Sequence, residues 1–312
     1  MEPTQTRDQS VSHPVFVNDA PAIALQTPSP RNSTETTLLP QSGNGECSCG
    51  SMAGSAPLSY VYAIGKVEPR FPSLSVEKEF AQATGRAQTN GLTDRQALQG
   101  ILTQPQNRYL SRLLCYVLTI GGLETYILQP RNPVDFDVLV QAIRPTPSPM
   151  DIDIVIGVRG PLAPPQMCNG LMVPIVAFDQ IYSFDRNALM SSIPRPEKIA
   201  ADQFTRVCEE LFDRIMQIAD NAGATDEHRA LNYLLVRYPA IYAKTAEEYG
   251  RDFSLTGVEA HLSSLSSTRK IIEVIFSFTN RNTDFTEKFF VRVDVTEEFP
   301  FLVTKLSPYF DH

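Results

Sequence analysis

Cys168 and His228 are residue types from which a nucleophile–base pair could be built. A cysteine thiolate attacks a carbonyl carbon when an imidazole takes the thiol proton and a carboxylate orients that imidazole. Asp226 and Asp179 are the carboxylates available for this role. Such a set would support a thiol-dependent hydrolase or transferase. No spacing signature accompanies these residues, so the other interpretation, a structural cysteine and a partly buried histidine at a helix start, stays open and is favoured.

Cys47 and Cys49 are separated by one residue, and two thiolates at this spacing can share a metal ion. A structural zinc site normally has four ligands, and its cysteine pairs are usually spaced more widely. Cys168, or alternatively His228, could complete the set. The sequence therefore allows a zinc-stabilised assembly domain, with free linker thiols as the other interpretation. Zinc is the one cofactor that the residues suggest.

A stiff loop rich in Pro and Gly offers the third kind of site, a binding surface without catalysis. The loop carries Cys168 and Asn169 between two apolar runs, and a rigid loop anchored on buried strands is a suitable place for binding. Arg159 lies where the first run enters the loop. Arg70 and Phe71 lie between two prolines that end an earlier strand. We expect these five residues to contribute to the binding surface.

The two runs that flank the loop, Asp151–Val158 and Leu171–Phe178, are apolar at nearly every position. Such runs are typical of strands covered on both faces, which places them at the centre of a sheet. Gly121-Gly122 predicts a tight hairpin turn between two further strands. Alternating apolar positions over residues 272–295 predict antiparallel pairing. The predicted fold class is α+β, with a mixed central sheet, flanking helices and a C-terminal antiparallel meander.

Capping residues mark where the helices begin. Thr93 and Gln96 have the spacing of a capping box. The pattern over Ala201–Asn221 has one apolar face that includes Cys208, which predicts a buried, inert thiol. Thr225 is the expected cap of the helix that follows.

The first 56 residues differ in composition from the rest of the chain. Residues 1–56 are rich in Ser, Thr, Pro, Asn and Gln and show no apolar period. Such a segment cannot bury enough apolar surface to offset the entropy lost on ordering. The sequence predicts a disordered leader over 1–56 and a folded domain over 57–312.

Bulk composition excludes several classes of protein. No apolar run approaches the length of a membrane span, and the N-terminus lacks a secretion signal. The five cysteines are scattered, which argues against a disulfide framework and favours a cytoplasmic location. A net charge of -8 without a basic block argues against nucleic acid as a partner.

Several segments of the folded region resemble the C-terminal domain of the cyanobactin maturation proteases, the multidomain enzymes that make patellamide-type cyclic peptides. The matching segments are Ser59–Arg86, Asn107–Asp137, Asp153–Asp185, Asp226–Tyr242 and Lys288–Tyr309. In that family the domain follows a subtilisin-like protease and has no defined function. The resemblance implies a role in the biosynthesis of ribosomal peptide natural products. It implies no protease activity, because the protease motifs are missing from this sequence, and it carries over no catalytic residue.

We therefore favour a non-catalytic accessory domain that binds a precursor peptide or a maturation enzyme. The thiol enzyme and the zinc-stabilised assembly domain are the alternatives. A homodimer is also expected, since the C-terminal meander leaves an exposed sheet edge.

Overall fold

The computed structural model describes residues 58–86, 91–197, 199–218 and 220–310. The predicted leader, with Cys47 and Cys49, lies outside these residues. Within them the chain forms nine strands and eight α-helices. The strands are β1 Ser59–Arg70, β2 Cys115–Ile120, β3 Leu123–Pro130, β4 Asp151–Leu162, β5 Pro174–Asp185, β6 Phe253–Leu262, β7 Ile271–Asn280, β8 Thr286–Asp294 and β9 Phe301–Pro308. The helices are α1 Leu74–Arg86, α2 Asp94–Leu102, α3 Arg108–Ser111, α4 Phe136–Ala142, α5 Arg186–Ser192, α6 Ala201–Met216, α7 Asp226–Arg237 and α8 Ala240–Gly250.

Strands β1–β5 close into a barrel in the order β1-β2-β3-β5-β4. The pairing of β3 with β5 is parallel, and the other four pairings are antiparallel. Strand β1 pairs with two strands: residues 59–65 pair with β4 and residues 66–70 pair with β2. This order, with α4 between β3 and β4, is that of the OB-fold, a five-stranded Greek-key barrel.

The barrel interior forms one hydrophobic core with the helices that precede β2 and with α4. Side chains alternate between the two faces of a strand, so every second residue points inward. The inward residues include Val61 and Ala63 of β1, Val155 of β4 and Phe178 of β5. The helices cover this core with Phe80, Ile101, Leu110 and Leu139.

A second core lies between the outer face of β1 and β4, the helices α5–α8 and the C-terminal sheet β6-β7-β8-β9. The outward residues of β4, Ile152, Ile154 and Ile156, pack in it. The segment before α7 lies directly on β1, where the Tyr62 amide donates to the Gly223 carbonyl at 2.9 Å. A Cβ atom on Gly223 would lie 2.3 Å from the Tyr62 carbonyl oxygen, and its φ of +68° favours glycine.

The α+β class, the mixed sheet and the C-terminal meander are confirmed. Closure of the mixed sheet into a barrel was not predicted. The run predicted as a strand from Leu171 begins pairing only at Pro174, because the preceding residues belong to the loop. The predicted Ala201–Asn221 helix ends at Met216, and Asp220 then adopts a φ of +58° where the chain turns toward β1.

The predicted capping residues act as expected. The Thr93 hydroxyl and the Gln96 side chain form the reciprocal capping box, and the Thr225 hydroxyl accepts from the His228 amide at 3.1 Å. Cys208 is a free thiol with no exposed surface, and burial raises its pKa to about 12. Among the described helices, none is both long and apolar enough to cross a membrane.

Candidate functional site

The loop between β4 and β5, residues 163–173, lies as a strap over the outer face of β2 and β3. Ala163 and Cys168 of the strap pack against Cys115, Val117 and Ile127 of the two strands. Cys168 forms a disulfide with Cys115, and their Cα atoms are 5.7 Å apart. This distance lies within the range that a disulfide requires.

The disulfide was not predicted, because the scattered cysteines argued against a disulfide framework. Cys115 and Cys168 are 53 residues apart in sequence, and only the closure of the barrel brings β2 under the strap. A disulfide sulfur is neither a nucleophilic thiolate nor a zinc ligand. In this oxidised state Cys168 therefore cannot fill the catalytic or metal-binding role predicted for it.

The strap has an unusual backbone at the disulfide. Cys168 and Asn169 adopt left-handed conformations with φ of +49° and +54°, and Gly170 follows with a φ of +84°. For an L-residue other than glycine this region costs roughly 1–2 kcal/mol, and somewhat less for asparagine. The turn directs the Cys168 side chain beneath the strap, where it is fully buried, and leaves Asn169 exposed.

Arg70 connects the strap to the barrel. Its Nε donates to the Cys168 carbonyl oxygen at 3.1 Å, and its Nη1 lies 2.5 Å from Glu124 Oε1 on β3. Two residues predicted separately, Arg70 and Cys168, are thus brought together. Arg159 is exposed on β4 and lies near Tyr126 instead, where its charge opposes the burial that raises the pKa of that phenol.

Phe71, the residue after Arg70, lies at a cleft of about 700 Å³ between α1, α2 and the end of β1. Its ring packs against Phe80 of α1 with the centroids 5.3 Å apart. Ala97 and Leu98 of α2 add apolar surface to the same cleft. The sequence marked Phe71 as a contact, but the cleft itself depends on how two helices pack.

The rim of the cleft carries a net negative charge. Glu68 forms an ion pair with Arg95, whose Nε also donates to the Arg144 carbonyl oxygen at 2.8 Å. Glu77 and Asp94 lie on the rim in the first turns of α1 and α2, where the helix macrodipole favours carboxylates. Because Glu68 and Arg95 neutralise each other, these two carboxylates determine the charge that a ligand meets.

The two carboxylates considered as partners of His228 form ion pairs with basic side chains instead. Asp226 lies 3.2 Å from Arg229 and 2.9 Å from Lys270. Asp179 of β5 lies 2.6 Å from Arg131. His228 occupies the first turn of α7, and burial lowers its pKa. With Cys168 held in the strap, these residues do not form a nucleophile–base–carboxylate arrangement.

A pair of carboxyl groups that the sequence did not indicate lies between the barrel and the C-terminal sheet. Glu298, in the connection between β8 and β9, lies beside Asp179, and Arg131 lies 2.6 Å from Asp179 Oδ2 and 3.5 Å from Glu298 Oε2. Burial, followed by the hydrogen bond and charge of Asp179, raises the pKa of Glu298 to about 8. At neutral pH the raised pKa therefore favours the protonated form of Glu298.

The described residues contain no cluster of three or more His, Cys, Asp or Glu side chains placed to hold a metal ion. Cys47 and Cys49 are not among those residues, so zinc binding that involves them stays a prediction.

The chain is similar to a known protein family and to one solved structure. Residues 198–309 match the family model described as PatG C-terminal. The resemblance to the PatG C-terminal domain is confirmed. A solved structure named "PatG Domain of Unknown Function" superposes with a TM-score of 0.65 at 19% sequence identity, covering 80% of this chain and 98% of that chain.

At this identity the structural match shows a shared fold. It covers more of the chain than the PatG C-terminal family model does. A search of curated proteins gave no match. The solved PatG domain is itself of unknown function, so the function of this chain has to be argued from its own surface.

Proposed function

We propose that this chain is a non-catalytic accessory domain in the biosynthesis of cyanobactin-like ribosomal peptides, and that it binds a peptide segment of a precursor or of a maturation enzyme. The resemblance to the PatG C-terminal domain supports the pathway. The observation that carries the binding role is the aromatic-floored cleft between α1 and α2, beside Arg70.

The size of the cleft suits a few side chains of a peptide. Its volume of about 700 Å³ lies within the usual range for ligand sites, roughly 300–1,000 Å³. The half-buried ring of Phe71, which packs against the buried ring of Phe80, offers an apolar surface to an aliphatic or aromatic side chain. The anchor that we propose is therefore one large apolar side chain of the ligand.

The negative charge of the rim further restricts the chemical class of the ligand. Glu77 and Asp94 favour a cationic group next to the apolar anchor. We therefore propose a segment in which a large apolar residue is adjacent to Lys or Arg. Exposed carboxylates, one ion-paired arginine and a threonine make up the polar lining, and this set supports binding more directly than bond cleavage.

Fluorescence anisotropy with labelled peptides tests the proposal. The probes are the cognate precursor peptide and three short model peptides that present an apolar residue beside Lys, beside Gln or beside Glu. The Phe71→Ala variant should bind the precursor peptide and the Lys peptide about ten-fold more weakly, which corresponds to about 1.4 kcal/mol. The matched control is Phe285→Ala, since Phe285 is exposed in the β7–β8 turn, away from the cleft.

Two results would contradict the proposal. One is the absence of binding by the precursor and by all model peptides up to millimolar concentration. The other is an equal loss of affinity in both phenylalanine variants, provided that their melting temperatures match. Equal affinity for the Lys and Glu probes would remove only the charge preference.

A further inference from the structure

The strap and the cleft are physically connected through neighbouring residues of β1 and the segment after it. The Cys168 carbonyl oxygen accepts from Arg70, and the next residue, Phe71, forms part of the cleft. The orientation of Arg70 therefore depends on a carbonyl group in the strap. Glu124 holds the other end of the same guanidinium group, so loss of the Cys168 contact would loosen Arg70 without releasing it.

The disulfide holds the strap at its most strained point. Cys168 is in the left-handed region, and Asn169 beside it is too, so the surrounding contacts have to hold this turn in a costly backbone conformation. In the position described, which we call closed, the strap buries Val117 and Ile127 on the outer face of the barrel. The cross-link therefore acts together with these apolar contacts to hold the strap against β2 and β3.

We propose that the Cys115–Cys168 disulfide is a redox latch that regulates the cleft, an inference that rests on the peptide binding proposed above. In the oxidised protein the strap is closed, Arg70 is fixed and the cleft binds its peptide. Reduction opens the strap, frees Arg70 from Cys168 and lowers the affinity of the cleft. The latch would thus make peptide binding depend on the redox state of the surroundings.

The reductant is a dithiol. One thiolate of the dithiol attacks the Cys115 sulfur, since Cys115 keeps 8% of its surface accessible and Cys168 keeps none. The bond between the two protein sulfurs breaks, and Cys168 leaves as a thiolate that takes a proton. The second thiol of the reductant then displaces Cys115, so that the dithiol becomes a cyclic disulfide and the protein gains two thiols.

The test compares the full chain before and after treatment with dithiothreitol. Alkylation followed by mass spectrometry establishes the state of Cys115 and Cys168. Thermolysin measures the opening of the strap through cleavage at Leu171 and Met172. Fluorescence anisotropy with the peptide that presents an apolar residue beside Lys measures the cleft. We expect strap cleavage to accelerate at least about ten-fold and the affinity to fall about three- to ten-fold on reduction.

The Cys115→Ala/Cys168→Ala double variant is the control. It should resemble the reduced protein in cleavage and affinity and should not respond to dithiothreitol, which separates the latch from the other cysteines. Protection of the buried Cys208 against alkylation under native conditions verifies that each sample is folded. If the double variant does not fold, the reduced wild-type protein with Cys208 protected decides the question.

A reduced strap that resists thermolysin as well as the oxidised one would overturn the latch. An open strap with unchanged peptide affinity would overturn its connection to the cleft and leave peptide binding intact. If neither redox state binds peptide, the proposed function and the regulation of the cleft both fail, and the cleavage measurement still shows whether the strap opens.

Discussion

Replacing Glu298 with Gln should make the protein more stable at neutral and alkaline pH. Glu298 lies against Asp179 of the barrel, with Arg131 beside both and the buried Arg229 nearby. The two arginines lower the pKa of Glu298, but burial and Asp179 raise it by more, to about 8. The folded protein therefore has to keep a proton on Glu298 that the unfolded chain releases at much lower pH. A glutamine amide can still donate to Asp179 and has no proton to retain.

The sign and size of the effect follow from proton linkage. The ordinary pKa of this carboxyl is 4.5 and the folded value is about 8, so the folded state binds more protons between these two pH values. The contribution of Glu298 to the free energy of unfolding of the wild-type protein is thus highest below pH 4.5. This contribution falls as the pH rises toward 8. One pKa unit corresponds to about 1.36 kcal/mol, so the full difference at pH 7 would be about 3.4 kcal/mol. Because water still reaches part of Glu298, we expect about 2–3 kcal/mol.

Urea unfolding followed by circular dichroism at several pH values measures this effect, since the chain has no tryptophan to report by fluorescence. The difference between Glu298→Gln and the wild-type protein should be small at pH 5, should reach about 2–3 kcal/mol at pH 7 and should still increase toward pH 8. Glu297→Gln is the matched control, because Glu297 is the adjacent residue and its side chain is exposed. Parallel pH profiles of Glu298→Gln and the wild-type protein would refute the explanation by a raised pKa of Glu298.

Three further predictions concern the cleft, the backbone and assembly. The Glu77→Gln/Asp94→Asn variant should bind the lysine-containing peptide about three- to ten-fold more weakly in low salt. The control Glu79→Gln changes a half-buried residue of α1 outside the cleft lining and should not weaken binding. Equal anisotropy titrations of the two variants would contradict the charge preference. Gly223→Ala should destabilise the protein by more than about 2 kcal/mol in thermal unfolding, because its Cβ would meet the β1 backbone. The control Gly250→Ala should have little effect, since no atom lies within 4 Å of the new Cβ. Similar melting temperatures of the two variants would disprove the close approach at Gly223. Because β6 and β9 are the edge strands of the described C-terminal sheet, light scattering after gel filtration should give the mass of a homodimer, and a monomer at all concentrations would end that prediction.

Patterns of short range could be predicted from the sequence. The capping box of Thr93 and Gln96 depends on a spacing of three residues, and the turn at Gly121-Gly122 depends on two residues that tolerate positive φ. The burial of Cys208 follows from its place in the apolar stripe of α6. In each case the interacting groups lie within about two helical turns or one hairpin, so local periodicity contains the information.

The site was predicted only in part. Arg70, Phe71 and Cys168 were identified as contacts, and the structure connects them through one hydrogen bond and one peptide bond. Neither the disulfide between Cys115 and Cys168 nor the pair of Asp179 and Glu298 could be inferred, because no spacing rule relates residues so far apart in a chain.

The sequence by itself determined the class of the fold, the positions of several helices and strands and the resemblance to the PatG C-terminal domain. Only the tertiary structure decided that the mixed sheet closes into a barrel, that the strap is cross-linked to β2 and that Glu298 lies beside Asp179 where burial raises its pKa. The physical reason is that closure, cross-linking and the pKa of a buried group depend on which distant segments pack together and exclude water. Apolar periodicity specifies the face that each segment buries, but it does not specify the partner of that face.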